Sequence, residues 1–192
     1  MRMLSSFTAM LAAAPAPAIP RTVKTADNVY TYEDYHAGDE QFTTTNMFVV
    51  MDGGALVADG QGSPVATKGL IDAIAKVTLR PIKYVVVYSD HGDHTGGNVS
   101  FPPGITYVIH PASRATPERQ PNGWKPLSNA QVVADKLPLK LGGEDVEIVF
   151  LGRAHTGGDL SVFLPRQRSR FCARRFSAAS SPRCDRRIHA NG

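Results

Sequence analysis

The sequence of this 192-residue chain predicts a layered α/β fold with one hydrophobic core. Residues 63–78 have apolar side chains at near-helical spacing, and they lie between two apolar segments of strand length, 46–60 and 82–89. From residue 132 onward, strand-like segments follow one another without a helix between them. Hydrophobic residues make up 42% of the chain and charged residues 20%, which is typical of a folded globular domain.

The first part of the fold is predicted from residue 28 onward. Residues 28–35 have strand composition, and residues 46–60 form two apolar runs that flank Asp52, Gly53 and Gly54, a pattern that indicates a β-hairpin. Ser63 is a suitable N-cap for the helix that follows, and Pro64 is a suitable first helical residue. The apolar face of this helix comprises Val65, Leu70, Ile71, Ile74, Ala75 and Val77.

The remaining strands are predicted from further apolar runs. Residues 82–89 form a continuous apolar run, which indicates a strand buried on both faces, and residues 105–110 form another. Residues 132–152 predict two or three strands with a tight turn at Gly142-Gly143, and residues 159–165 predict one more. A strand–helix–strand unit followed by a meander of strands predicts a mixed α/β layered fold.

The N-terminal residues 1–18 differ from this body. They contain Arg2, a short apolar stretch and an Ala-Pro-Ala sequence that resembles a cleavage site, so we expect either a secretory signal or a disordered Ala/Pro-rich leader. A signal would place the protein in the periplasm or outside the cell, and a leader would leave it in the cytoplasm. The sequence has no apolar run of about 18 residues, so no membrane span is predicted.

Residues 166–192 carry the excess positive charge of the chain. They hold eight of the 21 Lys and Arg residues and one of the 17 acids, a balance of +7, whereas residues 1–165 have a balance of −3. This segment also contains both cysteines and shows neither strand alternation nor an apolar helical face. We expect an aberrant or disordered tail, such as a frameshift produces, after an incomplete domain at residues 19–165. An Arg-rich interaction tail is the alternative.

Two glycine-rich loops hold the candidate site residues. The first histidine loop, residues 88–97 (YSDHGDHTGG), follows a buried strand and contains His91, Asp93 and His94. Imidazole and carboxylate groups suit a borderline cation such as Zn²⁺. Open α/β sheets bind their ligands in such loops, beyond the carboxyl ends of strands. The second histidine loop, residues 152–159 (GRAHTGGD), precedes the last predicted strand and contains His155.

Together the two loops resemble the signatures of the metallo-β-lactamase superfamily. Its first signature is His-x-His-x-Asp-His followed by a small residue and Gly-Gly, and its second is Gly-x-x-His-Thr-x-Gly-Asp. The first histidine loop matches the first signature except at its leading position, and the second loop matches throughout. The hairpin–helix–strand order before the first loop adds to the resemblance, which spans residues 28–165.

This resemblance implies an αββα sandwich, of which the chain would hold the N-terminal half to two-thirds. It implies one or two zinc ions, with His91 and His155 as ligands of the first and Asp93 and His94 as ligands of the second; Fe or Mn is a compatible alternative. Asp93 would also be the catalytic residue that orients the attacking water or carries its proton. The implied activity is hydrolysis of a small-molecule ester, thioester, lactam or similar compound by a metal-activated water.

Two features depart from the superfamily pattern. Ser89 stands at the leading histidine position, and a hydroxyl is a poor neutral ligand for zinc. The carboxylate that bridges the metals and the late histidine would follow residue 165, where the tail begins instead, and Asp185 and His189 match neither motif. A non-catalytic metal-binding remnant is therefore the second hypothesis. A nucleic-acid-binding protein that uses the tail is the third, and nucleic acid is the less expected partner. The sequence does not set an oligomeric state.

Overall fold

The computed structural model describes residues 18–36, 39–114, 130–167 and 169–171, and it shows two β-sheets packed face to face. Within these residues the strands are β1 (Arg21–Ala26), β2 (Val29–His36), β3 (Asp39–Met51), β4 (Gly54–Ala58), β5 (Ile82–Val86), β6 (Thr106–Ile109), β7 (Gln131–Val132), β8 (Lys136–Leu141), β9 (Glu144–Phe150), β10 (Leu160–Leu164) and β11 (Ser169–Phe171). The chief helices are α1 (Pro64–Val77) and α2 (Gly92–Thr95), with 3₁₀ turns at Asn98–Ser100 and Pro165–Gln167.

The first sheet has the strand order β1-β2-β3-β4-β5-β6-β7, and the second has the order β11-β10-β9-β8. Strands β1 to β4 are antiparallel neighbours, whereas β4 to β7 run parallel to one another. The carboxyl ends of the parallel strands therefore lie at one edge of the sheet. The loops that begin at Asp59, after β4, and at Val87, after β5, leave the sheet side by side at this edge.

Helix α1 connects β4 to β5 and covers one face of the first sheet. The hydroxyl of Ser63 accepts a hydrogen bond from the N–H of Ala66 at 3.2 Å, and Pro64 opens the helix, as predicted. Leu70 and Ile74 are buried in a cluster with apolar residues of β3, β4 and β5. The helix is stable at this position because both its N-terminal cap and its apolar face are satisfied.

The main core lies between the two sheets, where each sheet contributes aliphatic side chains. These side chains include Val49, Leu56, Val86 and Val108 of the first sheet and Ile148, Leu160, Val162 and Leu164 of the second. All of them are buried, and the burial of one such side chain contributes about 1.5–3 kcal/mol to stability. The layered α/β prediction is confirmed, with the layers in the order helix, sheet, sheet.

The predicted turns also agree with the structure. The β3–β4 hairpin turns at Asp52 and Gly53, and the β8–β9 turn is formed by Gly142 and Gly143. The φ angles of these two glycines are 58° and 87°, which glycine adopts without a steric penalty. In the part of the chain that the structure describes, no helix is long and apolar enough to cross a membrane.

Two strand boundaries differ from the sequence prediction. Arg21–Ala26 form β1 at the edge of the first sheet, although the sequence predicts no strand before residue 28. Ser169–Phe171 form β11, antiparallel to β10, so strand pairing continues past residue 165, where the sequence analysis places the end of the domain. A segment joins an open strand edge through backbone hydrogen bonds, which do not depend on its side chains. The composition of the segment is therefore a poor guide to whether it forms a strand. Residues 1–17 of the predicted leader 1–18, and residues 168 and 172–192 of the predicted tail 166–192, lie outside the described residues.

Candidate metal centre

The first histidine loop leaves β5 at the carboxyl edge of the parallel strands and turns at once into α2. His91 occupies the N-cap position of this short helix, and Asp93 and His94 lie within it. The carbonyl oxygen of His91 accepts hydrogen bonds from the N–H of His94, the N–H of Thr95 and the hydroxyl of Thr95, each at 3.0 Å. This turn presents three of the four predicted ligands within four residues.

The second histidine loop is held by one buried carboxylate. Asp159 is 4% exposed and accepts hydrogen bonds from the N–H of Ala154 at 3.2 Å and from the N–H and hydroxyl of Thr156 at 2.7 and 2.6 Å. His155, between these two donors, is exposed. Asp159 therefore shapes the loop from inside and leaves the imidazole at its surface.

The structure brings His91 and His155 together although they are far apart in sequence. Their ring centroids lie 4.4 Å apart, and the ring planes are inclined at 66°. Each ligand nitrogen of a zinc ion lies about 2 Å from the metal, so two rings at this separation can reach one ion. The separation would allow both rings to bind one ion, and the ligand roles of His91 and His155 stay a prediction.

Asp93 and His94 form a second pair beside the first. Nε2 of His94 lies 3.4 Å from Oδ2 of Asp93, and the His94 ring packs edge-on against Tyr88 with ring centroids 5.2 Å apart. On its other side, Nδ1 of His94 lies 3.1 Å from Oδ2 of Asp59, an ion-pair contact without the alignment of a regular hydrogen bond. One carboxylate thus orients the ring of His94, and the other lies next to the nitrogen available to a metal.

Asp59 is a site residue that the sequence analysis missed. It is fully buried directly after β4, and its carboxylate accepts hydrogen bonds from the N–H groups of Tyr88 at 2.8 Å and Ser89 at 3.2 Å. It therefore holds both the start of the first histidine loop and His94. The available signal was an acidic residue at the end of an apolar strand, next to the strand that carries the loop.

The charges of Asp59 and His94 depend on each other. Burial raises the pKa of Asp59 to about 7, and the neighbouring His94 and the N–H groups of Tyr88 and Ser89 limit the increase. Burial alone would lower the pKa of His94, but the carboxylates of Asp59, Asp93 and Asp159 outweigh it and raise that pKa above its ordinary value. Both groups therefore hold protons more tightly in the folded chain than in the unfolded chain.

This proton uptake predicts how stability depends on pH in the metal-free chain. A raised pKa gives stability that is present at low pH and is lost as pH rises through the folded pKa. Stability from Asp59 should therefore decrease between about pH 4 and 7, and that from His94 should decrease above its ordinary pKa. In the Asp59→Asn variant we expect the free energy of unfolding to change less across this pH range, by about 1–3 kcal/mol. Urea unfolding at a series of pH values measures it, and parallel curves for both chains would contradict the prediction.

The described residues fit zinc in donor type but supply few donors per ion. His91 lies beside His155 at one position, and His94 lies beside Asp93 at the other. Imidazole and carboxylate groups are both ordinary zinc ligands. Catalytic zinc usually has three protein ligands, whereas within the described residues no three His, Cys, Asp or Glu side chains are grouped closely enough to hold an ion. At the leading position, Ser89 is 1% exposed, and its hydroxyl oxygen has no hydrogen-bond partner.

The chain combines two packed sheets, helix α1 on the first sheet, and imidazole and carboxylate groups at the carboxyl edge of the parallel strands. This combination identifies its fold class. The chain has the metallo-β-lactamase fold, as predicted. A solved metallo-β-lactamase from Pontibacter korlensis matches it with a TM-score of 0.66 and 21% sequence identity, covering 76% of this chain and 67% of that chain.

Sequence comparison gives relatives of the same kind. The chain is 22% identical to metallo-beta-lactamase IND-1 of Chryseobacterium indologenes over 142 residues, 73% of this chain and 58% of that protein. It is 26% identical to metallo-beta-lactamase type 2 of Bacillus cereus over 140 residues, 72% of this chain and 52% of that protein. The 2,4-dinitroanisole O-demethylase subunit alpha of a Nocardioides species is 24% identical over 127 residues, 64% of this chain and 38% of that protein.

These matches confirm the resemblance to the metallo-β-lactamase superfamily that the two loops indicate. The two matched metallo-beta-lactamases are longer proteins, and the chain spans 58% and 52% of their lengths. No protein-family model matches the sequence.

Proposed function

We propose that the protein is a zinc-dependent hydrolase of the metallo-β-lactamase fold. The observation that carries this proposal is the meeting of His91 and His155, at 4.4 Å between ring centroids, from loops more than 50 residues apart in sequence. Two exposed imidazoles meet edge-on at the carboxyl edge of the parallel strands, where a cation is the simplest group that both can bind. The names of the matched relatives support a hydrolytic enzyme of this kind.

In this function His91 and His155 hold one ion, and Asp93 and His94 hold a second or share the first. When bound, zinc supplies Lewis acidity and lowers the pKa of a water to about 7. Asp93 is about one-third exposed and lies beside His94, so it can accept a proton from a water or return one to a leaving group. Asp59 keeps His94 in one orientation through the contact at Nδ1.

The proposed substrate is a small molecule with an ester, thioester, lactam or related bond. Two matched relatives are metallo-beta-lactamases by name and the third is an O-demethylase subunit, so related chains act on different bonds. A non-catalytic metal-binding protein is the second candidate, and Ser89 favours it because the first ion has one imidazole fewer than in the superfamily signature. The sequence supports two further proposals. The tail could bind nucleic acid, and the leader either exports the protein or leaves it in the cytoplasm.

Two measurements test this function. Metal analysis of the purified chain should find zinc, and a generic lactam and a generic thioester should be hydrolysed at a rate that a chelator abolishes and zinc restores. Zinc without hydrolysis of either compound would favour the non-catalytic candidate. No metal after incubation with zinc and removal of the excess would refute the proposal.

A further inference from the structure

The loop between β4 and α1, residues 59–63, lies directly against the first histidine loop, and we call it the supporting loop. A Cβ atom at Gly62 would lie 3.1 Å from Cα of Asp93, and a Cβ atom at Gly96 would lie 2.6 Å from the carbonyl oxygen of Gly62. The N–H of Gly97 donates to the carbonyl oxygen of Gln61 at 2.8 Å. The backbones of the two loops are therefore in contact, so the conformation of one fixes the position of the other.

A buried amide on β3 holds the supporting loop. Asn46 is 0% exposed, and its Nδ2 group donates to the carbonyl oxygens of Ala58 at 3.3 Å, Asp59 at 3.1 Å and Gly60 at 2.6 Å. These three consecutive carbonyl groups curve around the amide. Asp59, in the middle, has a φ angle of 58°, which is unfavourable for a residue other than glycine. Such a conformation persists where surrounding contacts enforce it, and the Asn46 amide supplies them.

A second buried amide holds the first in place. Gln61 is 1% exposed, and its Nε2 group donates to Oδ1 of Asn46 and to the carbonyl oxygen of Thr44, the latter at 3.3 Å. Its backbone N–H donates to the hydroxyl of Thr67 in α1 at 2.9 Å. The two amides thus connect β3, α1 and the supporting loop. Buried amides are costly unless they are hydrogen-bonded; here the amide nitrogens of both side chains are bonded, whereas Oε1 of Gln61 has no partner within the described residues.

We propose that Asn46 and Gln61 are a positioning pair for the metal centre. They hold the supporting loop in the conformation that places the carboxylate of Asp59 against His94 and the carbonyl oxygen of Gln61 against Gly97. The inference rests on the proposed function, because that function requires the centre being positioned. The pair acts through Asp59 and the backbone, so its removal should disorder His94 before it unfolds the domain.

The test uses the full chain with Gln61→Met, which removes the side-chain donor at nearly constant volume, and with Asn46→Leu. In the metal-free chains we expect the imidazole ¹⁵N signals of His94 to shift or split. Zinc affinity, measured by calorimetry, should decrease about 10- to 100-fold, the usual effect of losing a partner that orients a ligand. Ile148→Val, in the core between the sheets, is the control for a general loss of stability, which thermal unfolding quantifies.

The two readouts separate the possible failures. Zinc affinity and His94 signals equal to those of the Ile148→Val control, in a folded Gln61→Met chain, would overturn the positioning pair. Gln61→Met can decide this alone if Asn46→Leu does not fold, because it removes the donor that holds Oδ1 of Asn46 and leaves Asn46 itself in the chain. If the unsubstituted chain binds no zinc, the proposed function fails, while the His94 signals still report on the pair.

Discussion

Replacement of His155 by alanine is expected to lower zinc affinity more than about 100-fold, since losing only a partner that orients a ligand already costs 10- to 100-fold. The reason is geometric: the rings of His91 and His155 meet edge-on from two loops, so removing either one would leave the first ion with a single imidazole. Hydrolysis of any substrate should disappear with the metal. Calorimetry with zinc and a hydrolysis assay at saturating zinc measure the two effects separately.

Leu79→Ala is the control, because Leu79 is fully exposed and lies before β5, at the end of that strand opposite the first histidine loop. It should leave zinc affinity unchanged. His155 is exposed, so its replacement should also leave the unfolding temperature of the metal-free chain almost unchanged. If His155→Ala binds zinc as tightly as Leu79→Ala does, His155 is not a ligand and the two rings meet for another reason.

The sequence predicts the elements of this fold well because their signals are local. The apolar run at residues 82–89, the cap at Ser63 and the glycines at 142 and 143 each specify a conformation within a few residues. The two histidine loops are predictable for the same reason, since each lies beside a strand that can be recognised. Their meeting follows from the resemblance, and the separation of 4.4 Å between His91 and His155 agrees with it.

The supporting residues are not predictable in this way because their roles depend on strand pairing. Asp59 contacts His94 only because β4 and β5 are parallel neighbours in a register that pairs Ala58 with Val86. Asn46 reaches the loop after β4 only because Met47 pairs with Ala58 across the β3–β4 hairpin. In sequence, each reads as one polar residue near an apolar strand. Strand β11 was not predicted because it forms by pairing with the edge of β10, and its own residues give no local strand signal.

Replacement of Ser89 by histidine is expected to tighten zinc binding, by about tenfold or more if the new imidazole becomes a ligand. Ser89 lies two residues before His91, and the backbone at His91 is extended, with φ −68° and ψ 152°. Position 89 is the leading histidine position of the signature that the first histidine loop resembles, so an imidazole there would give the first ion a third nitrogen ligand. The hydroxyl of Ser89 has no hydrogen-bond partner, so its replacement breaks no bond of that group.

The larger side chain carries a cost, because Ser89 is 1% exposed and overpacking a buried position destabilises by about 1–3 kcal/mol. Ser89→Phe is the matched control, since it adds a ring of similar shape without a nitrogen donor, and urea unfolding of both variants measures the shared cost. Asp90→His tests position, because it places an imidazole one residue away from the leading histidine position of the signature. Zinc should bind Ser89→His more tightly than either control. Equal affinity in Ser89→His and Ser89→Phe would show that position 89 does not face the ion, and the first metal site would then need a third ligand from elsewhere.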